Sequence, residues 1–326
     1  MVIVGLVGFA GVVVFGLLYI VFFLRGVSLK LPVIGMVVFA LMIAAAAILP
    51  RLEITLPELP GFGGGQSQTA EPGDQGGEED DPSEDGDFPR QVLLDKRGLV
   101  ITATGFEENG AQGPTLNVSI ENRSETDVTI QTRDVSVNGW MMDTSFSVTV
   151  PAGQKARESI LFLASRMKSS GIETVADMEL SFHILDQNQV AFLDSDAVTV
   201  RTPAADTYQY RFDDSGEELY SENGVRIISR GFSGQDSAFG PELALFIENA
   251  TDQAITVQAR DVLINGSAAD AIFSEDVLAG KRSAAAITLL GVSLEEIGEM
   301  RFSLHVVDRD QRTPLFDTES FTVRAD

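Results

Sequence analysis

The feature that most constrains this chain is a phrase that occurs twice, because a duplicated segment has to solve the same folding problem in both places. Gly98-Leu-Val-Ile101 and Gly105-Phe106 return 126 residues later as Gly224-Val-Arg-Ile227 and Gly231-Phe232. One inserted residue moves the spacing to 127. At that spacing Gly113-Pro114, Ile120-Glu-Asn122, Arg133-Asp134-Val135 and Asn138-Gly139 return as Gly240-Pro241, Ile247-Glu-Asn249, Arg260-Asp261-Val262 and Asn265-Gly266. Beyond a five-residue deletion, Phe182-His183-Ile184 and Thr199-Val200-Arg201 align with Leu304-His305-Val306 and Thr322-Val323-Arg324. Register held over this distance marks two copies of one domain, at 92–202 and 218–326, joined by a short linker at 203–217.

Within each copy apolar and polar residues alternate with period two, as in Leu116-Asn-Val118-Ser-Ile120 and Leu243-Ala-Leu245-Phe-Ile247, the pattern of a strand with one face buried. Asn138-Gly139 and Asn265-Gly266 follow strand-like runs and supply the positive φ angles of a tight hairpin turn. Asn122 and Asn249, followed by small polar residues, close other strand ends. Seven to nine short strands in about 110 residues predict an antiparallel immunoglobulin-like sandwich. The expected fold class is therefore all-β, two tandem sandwiches. Only 165–176 and 293–299 break the alternation, and they predict a short helical turn crossing between the sheets.

The first 51 residues obey a different rule. Residues 2–24 and 31–49 are two uncharged apolar runs, each close to the roughly 20 helical residues that span a bilayer. They predict a transmembrane hairpin in contact with lipid over 2–49. A cleaved signal peptide would carry a basic start, whereas here no Lys or Arg precedes Arg25. Arg25 and Lys30 lie in the connecting loop and Arg51 alone lies beyond the second helix, which places the loop in the cytoplasm and the domains outside. The expected location is the plasma membrane, crossed twice. Residues 52–91 then form an acidic linker rich in Gly, Pro, Asp and Glu, with too little apolar surface to offset its chain entropy. Its Asp81-Pro-Ser83-Glu-Asp85-Gly86 matches the opening of a calcium loop, but Val92 stands where the bidentate Glu belongs, so no calcium site is expected.

Composition narrows the function. Against 48 Asp and Glu stand 23 Lys and Arg, and the net charge of −25 repels phosphate backbones, so nucleic acid is not an expected partner. Cysteine is absent, which excludes disulfides, thiolate metal sites and thiol nucleophiles. No catalytic, cofactor or metal residues are assigned. Asp194-Ser-Asp196 and Asp308-Arg-Asp310 lie in turns, where Asp is favoured for its backbone hydrogen bonds alone. The possible surface contacts are His183 and His305, at one strand position in the two copies, and Trp140, the single tryptophan, which has only Ser267 opposite it in copy 2. For Trp140 an exposed contact and core packing are equal readings. The repeated Arg133-Asp134 and Arg260-Asp261 either mark a ligand face or, as is expected, have each arginine bonding loop carbonyls or a carboxylate of its own domain.

The Ile-Glu-Asn phrase, the Arg-Asp-Val hairpin with its Asn-Gly turn, and the His-bearing strand together resemble an immunoglobulin-like domain of Gram-positive bacterial membrane proteins. There it often follows a zinc ribbon and a transmembrane helix. The resemblance covers both repeats and implies the fold without an activity. The zinc ribbon is missing here, since it needs cysteines. The function expected is a membrane-anchored cell-envelope protein displaying two non-catalytic sandwiches that bind an unknown protein or envelope polymer, or act as structural modules. The alternative is an accessory or sensory subunit that docks a membrane complex through its hairpin.

Overall fold

The alternating runs become strands throughout the computed structural model, which describes residues 88–209, 211–233 and 239–325. The predicted transmembrane hairpin and the linker as far as residue 87 lie outside the described residues. Among the described residues no helix is long and apolar enough to cross a membrane.

In copy 1, β1 (Gln91–Lys96), β2 (Leu99–Glu107) and β3 (Thr115–Asn122) pair in order, and β8 (Lys155–Phe162) and β6 (Thr144–Ser145) extend the sheet. The facing sheet is centred on β4 (Val128–Val137) and β9 (Asp177–Asp186). To β4 are added β5 (Trp140–Met141) and β7 (Ser147–Val150), and to β9 are added β10 (Ala191–Asp194) and β11 (Val198–Arg201). Copy 2 repeats the plan. Its first sheet holds β12 (Glu217–Glu222), β13 (Val225–Ser233), β14 (Glu242–Asn249) and β19 (Arg282–Leu290), with β17 (Asp270–Ile272) on β19. Its second holds β15 (Ile255–Ile264) and β20 (Glu299–Asp308), joined by β16 (Ser267–Ala268), β18 (Ser274–Val277), β21 (Pro314–Asp317) and β22 (Phe321–Arg324). The predicted crossover is the helix α1 (Ala164–Ser169) in copy 1 and a 3₁₀ turn, Leu294–Glu296, in copy 2.

Duplication extends to backbone conformation. Asp134 and Asp261 take φ of 55° and 54°, where β4 and β15 each slip register against their neighbour, so the repeated Arg-Asp-Val phrase encodes a bulge. Asn138 and Asn265 both take 50°, each followed by glycine at 80°, as a primed turn requires. Their side chains do more than turn the chain. Asn138 donates to Thr174 O (2.8 Å) and accepts from Ala176 N (2.9 Å), and Asn265 likewise clasps Glu296 O (2.7 Å) and Gly298 N (2.9 Å), so each hairpin tip holds its own crossover. Gly113 and Gly240 cannot be replaced, because a Cβ there would lie 1.9 Å and 2.1 Å from the carbonyl oxygens of Phe162 and Leu289.

Asn122 and Asn249 are the buried polar fasteners of the two cores, both fully inaccessible. Asn122 donates to Thr126 O and Val150 O, both at 2.9 Å, and accepts from the Ser124 hydroxyl at 2.6 Å. Asn249 donates to Gln253 O (2.9 Å) and Val277 O (3.0 Å) and accepts from the Thr251 hydroxyl (2.6 Å). Each stitches the end of one sheet to the strand opposite, and its own buried amide finds partners on both its donor and its acceptor side.

Candidate functional site

The two sandwiches dock against each other, and their junction is built from what the copies do not share. On copy 2, Ile228, Phe246 and Ala284 sit directly across from one another on β13, β14 and β19 and face away from their own core. All are buried, at 1%, 0% and 6% exposure. The matching row on copy 1 is Thr102, Ser119 and Arg157, the first two half-buried and the last exposed. Copy 2 thus presents an apolar outer face where copy 1 presents a polar one.

Trp140 fills that face. It is 0% exposed, so of the two readings of this residue the surface contact is corrected to packing, although the packing is between domains. Its ring meets Phe246 edge-on at 5.5 Å and Phe212 at 6.4 Å, and Phe212 stacks on Phe246 at 6.0 Å. Such offset and T-shaped pairs add to the burial of the rings themselves. Phe212 belongs to the 203–217 segment, which is therefore a wedge in the junction as well as a tether. Arg282 covers Phe212 from 4.2 Å and Arg230 covers Phe246 from 5.5 Å. β5 pairs in parallel with β19 through Trp140 and Arg282, with Arg282 N donating to Gly139 O at 3.0 Å. The second sheet of copy 1 and the first sheet of copy 2 become one eleven-stranded sheet.

Ion pairs surround the aromatic centre. Arg166, on α1, reaches Glu275 (2.6 Å) and Ala284 O (2.5 Å) across the junction and Asp143 (2.9 Å) on its own side. Lys281 meets Glu179 at 3.0 Å and Arg309 meets Asp134 at 2.5 Å. Arg166, Phe212, Ile228, Phe246 and Arg309 were not singled out in the sequence; for Ile228 and Phe246 the signal was there, as positions where copy 2 is apolar and copy 1, with Thr102 and Ser119, is polar. A cleft of about 390 Å³ opens beside the junction, and its Asp134, Asp143, Arg166, Glu275, Asp276 and Arg309 are engaged with one another in ion pairs.

The two histidines stay apart. His183 Nδ1 lies 2.6 Å from the Asp194 carboxylate on the neighbouring edge strand, and His305 Nδ1 lies 2.6 Å from Asp317. His183 is partly exposed, whereas His305 is buried at 7%. Arg133 also reaches Asp194, at 3.4 Å, within its own domain. Asp196 pairs with Lys96 at 2.7 Å, and the Asp308 carboxylate caps a turn by accepting from Asp310 N and Gln311 N. Among the described residues no group of three or more His, Asp or Glu is placed to hold a metal ion.

The hydrogen bond from His183 holds the Asp194 carboxyl below the ordinary aspartate range, with burial opposing and Arg133 assisting. A depressed carboxyl contributes stability above its unfolded pKa of about 4 and loses it as pH falls through the folded value. Asp194→Asn is accordingly expected to flatten the fall of Tm below pH 4. A profile that stays parallel to that of the parent protein down to pH 2 counts against this linkage. More than half of the Asp194 side chain is exposed, so solvent screening keeps the effect small.

No protein-family profile matches the chain, and no curated protein matches it by sequence. Similar solved structures include the YadV chaperone, 11% identical, with 70% of this chain and 99% of that one covered at a TM-score of 0.23. The E. coli chaperone DraB is 12% identical over 70% and 96% of the two chains, with a TM-score of 0.21. A protein of unknown function from Porphyromonas gingivalis W83 is 12% identical over 70% and 99%, with a TM-score of 0.22.

Proposed function

We propose that this chain is a membrane-anchored cell-envelope protein that presents two docked, non-catalytic β-sandwiches as one binding or structural module. The observation that carries the reading is the Trp140 junction, which holds both copies in a single unit through Phe246 and Phe212. A module that must hold two surfaces at a set angle needs such a contact; a pair of independent domains does not. The apolar runs at 2–24 and 31–49 support the anchor, and the acidic segment after them supports display away from the bilayer. The resemblance of both repeats to a domain of Gram-positive membrane proteins points the same way. The partner is a protein or envelope polymer, and the charge of −25 disfavours nucleic acid.

The chain has no cysteine, so one introduced at the exposed Ser320 is the only thiol available. In intact cells Ser320→Cys is expected to react with a membrane-impermeant maleimide without permeabilisation. Labelling that appears only after lysis would overturn the display reading.

A further inference from the structure

At the end of each sandwich where its first hairpin turns, the two copies do opposite things. In copy 1 the turn residue Arg97, at φ 54°, folds over Phe192, with its guanidinium carbon 5.2 Å from the ring centre, and donates to the Phe192 carbonyl. Phe192 is the bulged residue of β10, where register against β9 shifts between Ala191 and Leu193. Lys96 alongside pairs with Asp196 at 2.7 Å. Copy 1 thus caps this end with its own Lys-Arg pair.

In copy 2 the bulged residue is Leu315, between Pro314 and Phe316, and the turn residue is Asn223, at φ 53°. Asn223 donates to the Tyr220 hydroxyl at 2.7 Å instead of crossing to the bulge. A groove of about 250 Å³ is left, floored by the buried Val225 and Ile255, walled on one side by Leu315 and Phe316 and on the other by the polar Asn223, Thr251 and Gln253. Leu315 is 38% exposed, and the Phe316 ring is backed by Tyr220, stacked at 5.3 Å. The charge is reversed as well: Glu222 stands in place of Lys96, and Glu319 in place of Asp196, so copy 1 has an ion pair where copy 2 has two exposed acids.

We propose that this groove on copy 2 takes an arginine, with an adjacent basic residue, from an extended segment of a protein partner. Copy 1 shows the fit in its own chain: a guanidinium laid over the bulged side chain, bonded to that residue's carbonyl, with a lysine on the neighbouring carboxylate. Charge selects the same occupant: Glu222 adjoins Asn223 at the groove and Glu319 takes the place of the carboxylate that Lys96 meets in copy 1, and acids near a groove with one aromatic wall favour a cation that also stacks. The proposal rests on reading the chain as a binding module and names the chemistry of its partner.

The test uses the full chain in detergent and a fluorescein-labelled Leu-Lys-Arg-Gly peptide, followed by anisotropy against the same peptide with citrulline for arginine. The arginine peptide is expected to bind about tenfold more tightly, from the charge-assisted hydrogen bond and the stacking together. Glu222→Lys with Asn223→Arg installs the Lys-Arg pair of copy 1 and is expected to abolish the difference. Arg97 already adopts the same φ, so the double variant is compatible with the turn. Leu315→Ser, at a half-open site, is a second variant expected to weaken binding. Equal binding of the two peptides, or unchanged binding by the folded double variant, overturns the proposal. If the peptides fail while Ser320→Cys is labelled from outside, only the groove assignment falls. If the label fails, the display reading falls whatever the peptides do.

Discussion

Trp140→Ala is expected to destabilise the docked pair by about 3–5 kcal/mol, the range for truncating a large buried aromatic, and to let the two sandwiches unfold separately. The side chain is fully buried against Phe246 and Phe212, and nothing in copy 2 substitutes for it, since its counterpart is the exposed Ser267. Calorimetry of the full chain should show a transition that splits or broadens on substitution. Trypsin should then cut faster after Arg211, because Phe212 beside it loses its edge contact with Trp140. Phe246→Ser gives copy 2 the residue that copy 1 carries at Ser119 and keeps Trp140 as the single tryptophan. Its fluorescence should shift to the red as the junction opens. Unchanged melting and unchanged cleavage in Trp140→Ala would mean that the junction is held by its rim of ion pairs instead.

Asn249→Ala is the second large effect, at about 2–3 kcal/mol. Removing the side chain takes the amide donor from the buried Val277 carbonyl and from the Leu278 carbonyl beside it, while the Gln253 carbonyl keeps the Thr251 hydroxyl as a donor. Each orphaned buried group costs roughly 1–3 kcal/mol. Asn249→Asp should be no better than alanine despite its equal size, because a carboxylate cannot donate to the carbonyls that the Nδ2 now serves. Asn122 should behave alike in copy 1, and Thr251→Ala should lose only about 1 kcal/mol. Urea midpoints for the series decide it. A tolerant Asn249→Asp would show that the acceptor side of the amide, toward Thr251, carries the stability.

Much of the fold was legible because its determinants are local. The alternation in Leu116-Asn-Val118-Ser-Ile120 does place Leu116, Val118 and Ile120 in the core, and Asn138-Gly139 does turn the chain at positive φ. The helical break at 165–176 was anticipated as an element, but its Arg166 was not anticipated as a bridge between domains. Reading Leu243-Ala-Leu245-Phe-Ile247 as a strand with one buried face was incomplete, since Phe246 is buried on the other face.

By itself the sequence determined that one domain occurs twice, because duplication is visible in whatever the copies share: the bulge at Asp134 and Asp261, the turns at Asn138 and Asn265, the buried amides of Asn122 and Asn249. Only the tertiary structure decided how the copies meet. An interface between two different faces is written in residues the copies do not share, Trp140 on one and Ile228, Phe246 and Ala284 on the other. No local periodicity brings residues a hundred positions apart into contact; that pairing is set by burying the apolar outer face of copy 2 against an aromatic ring that copy 1 alone provides.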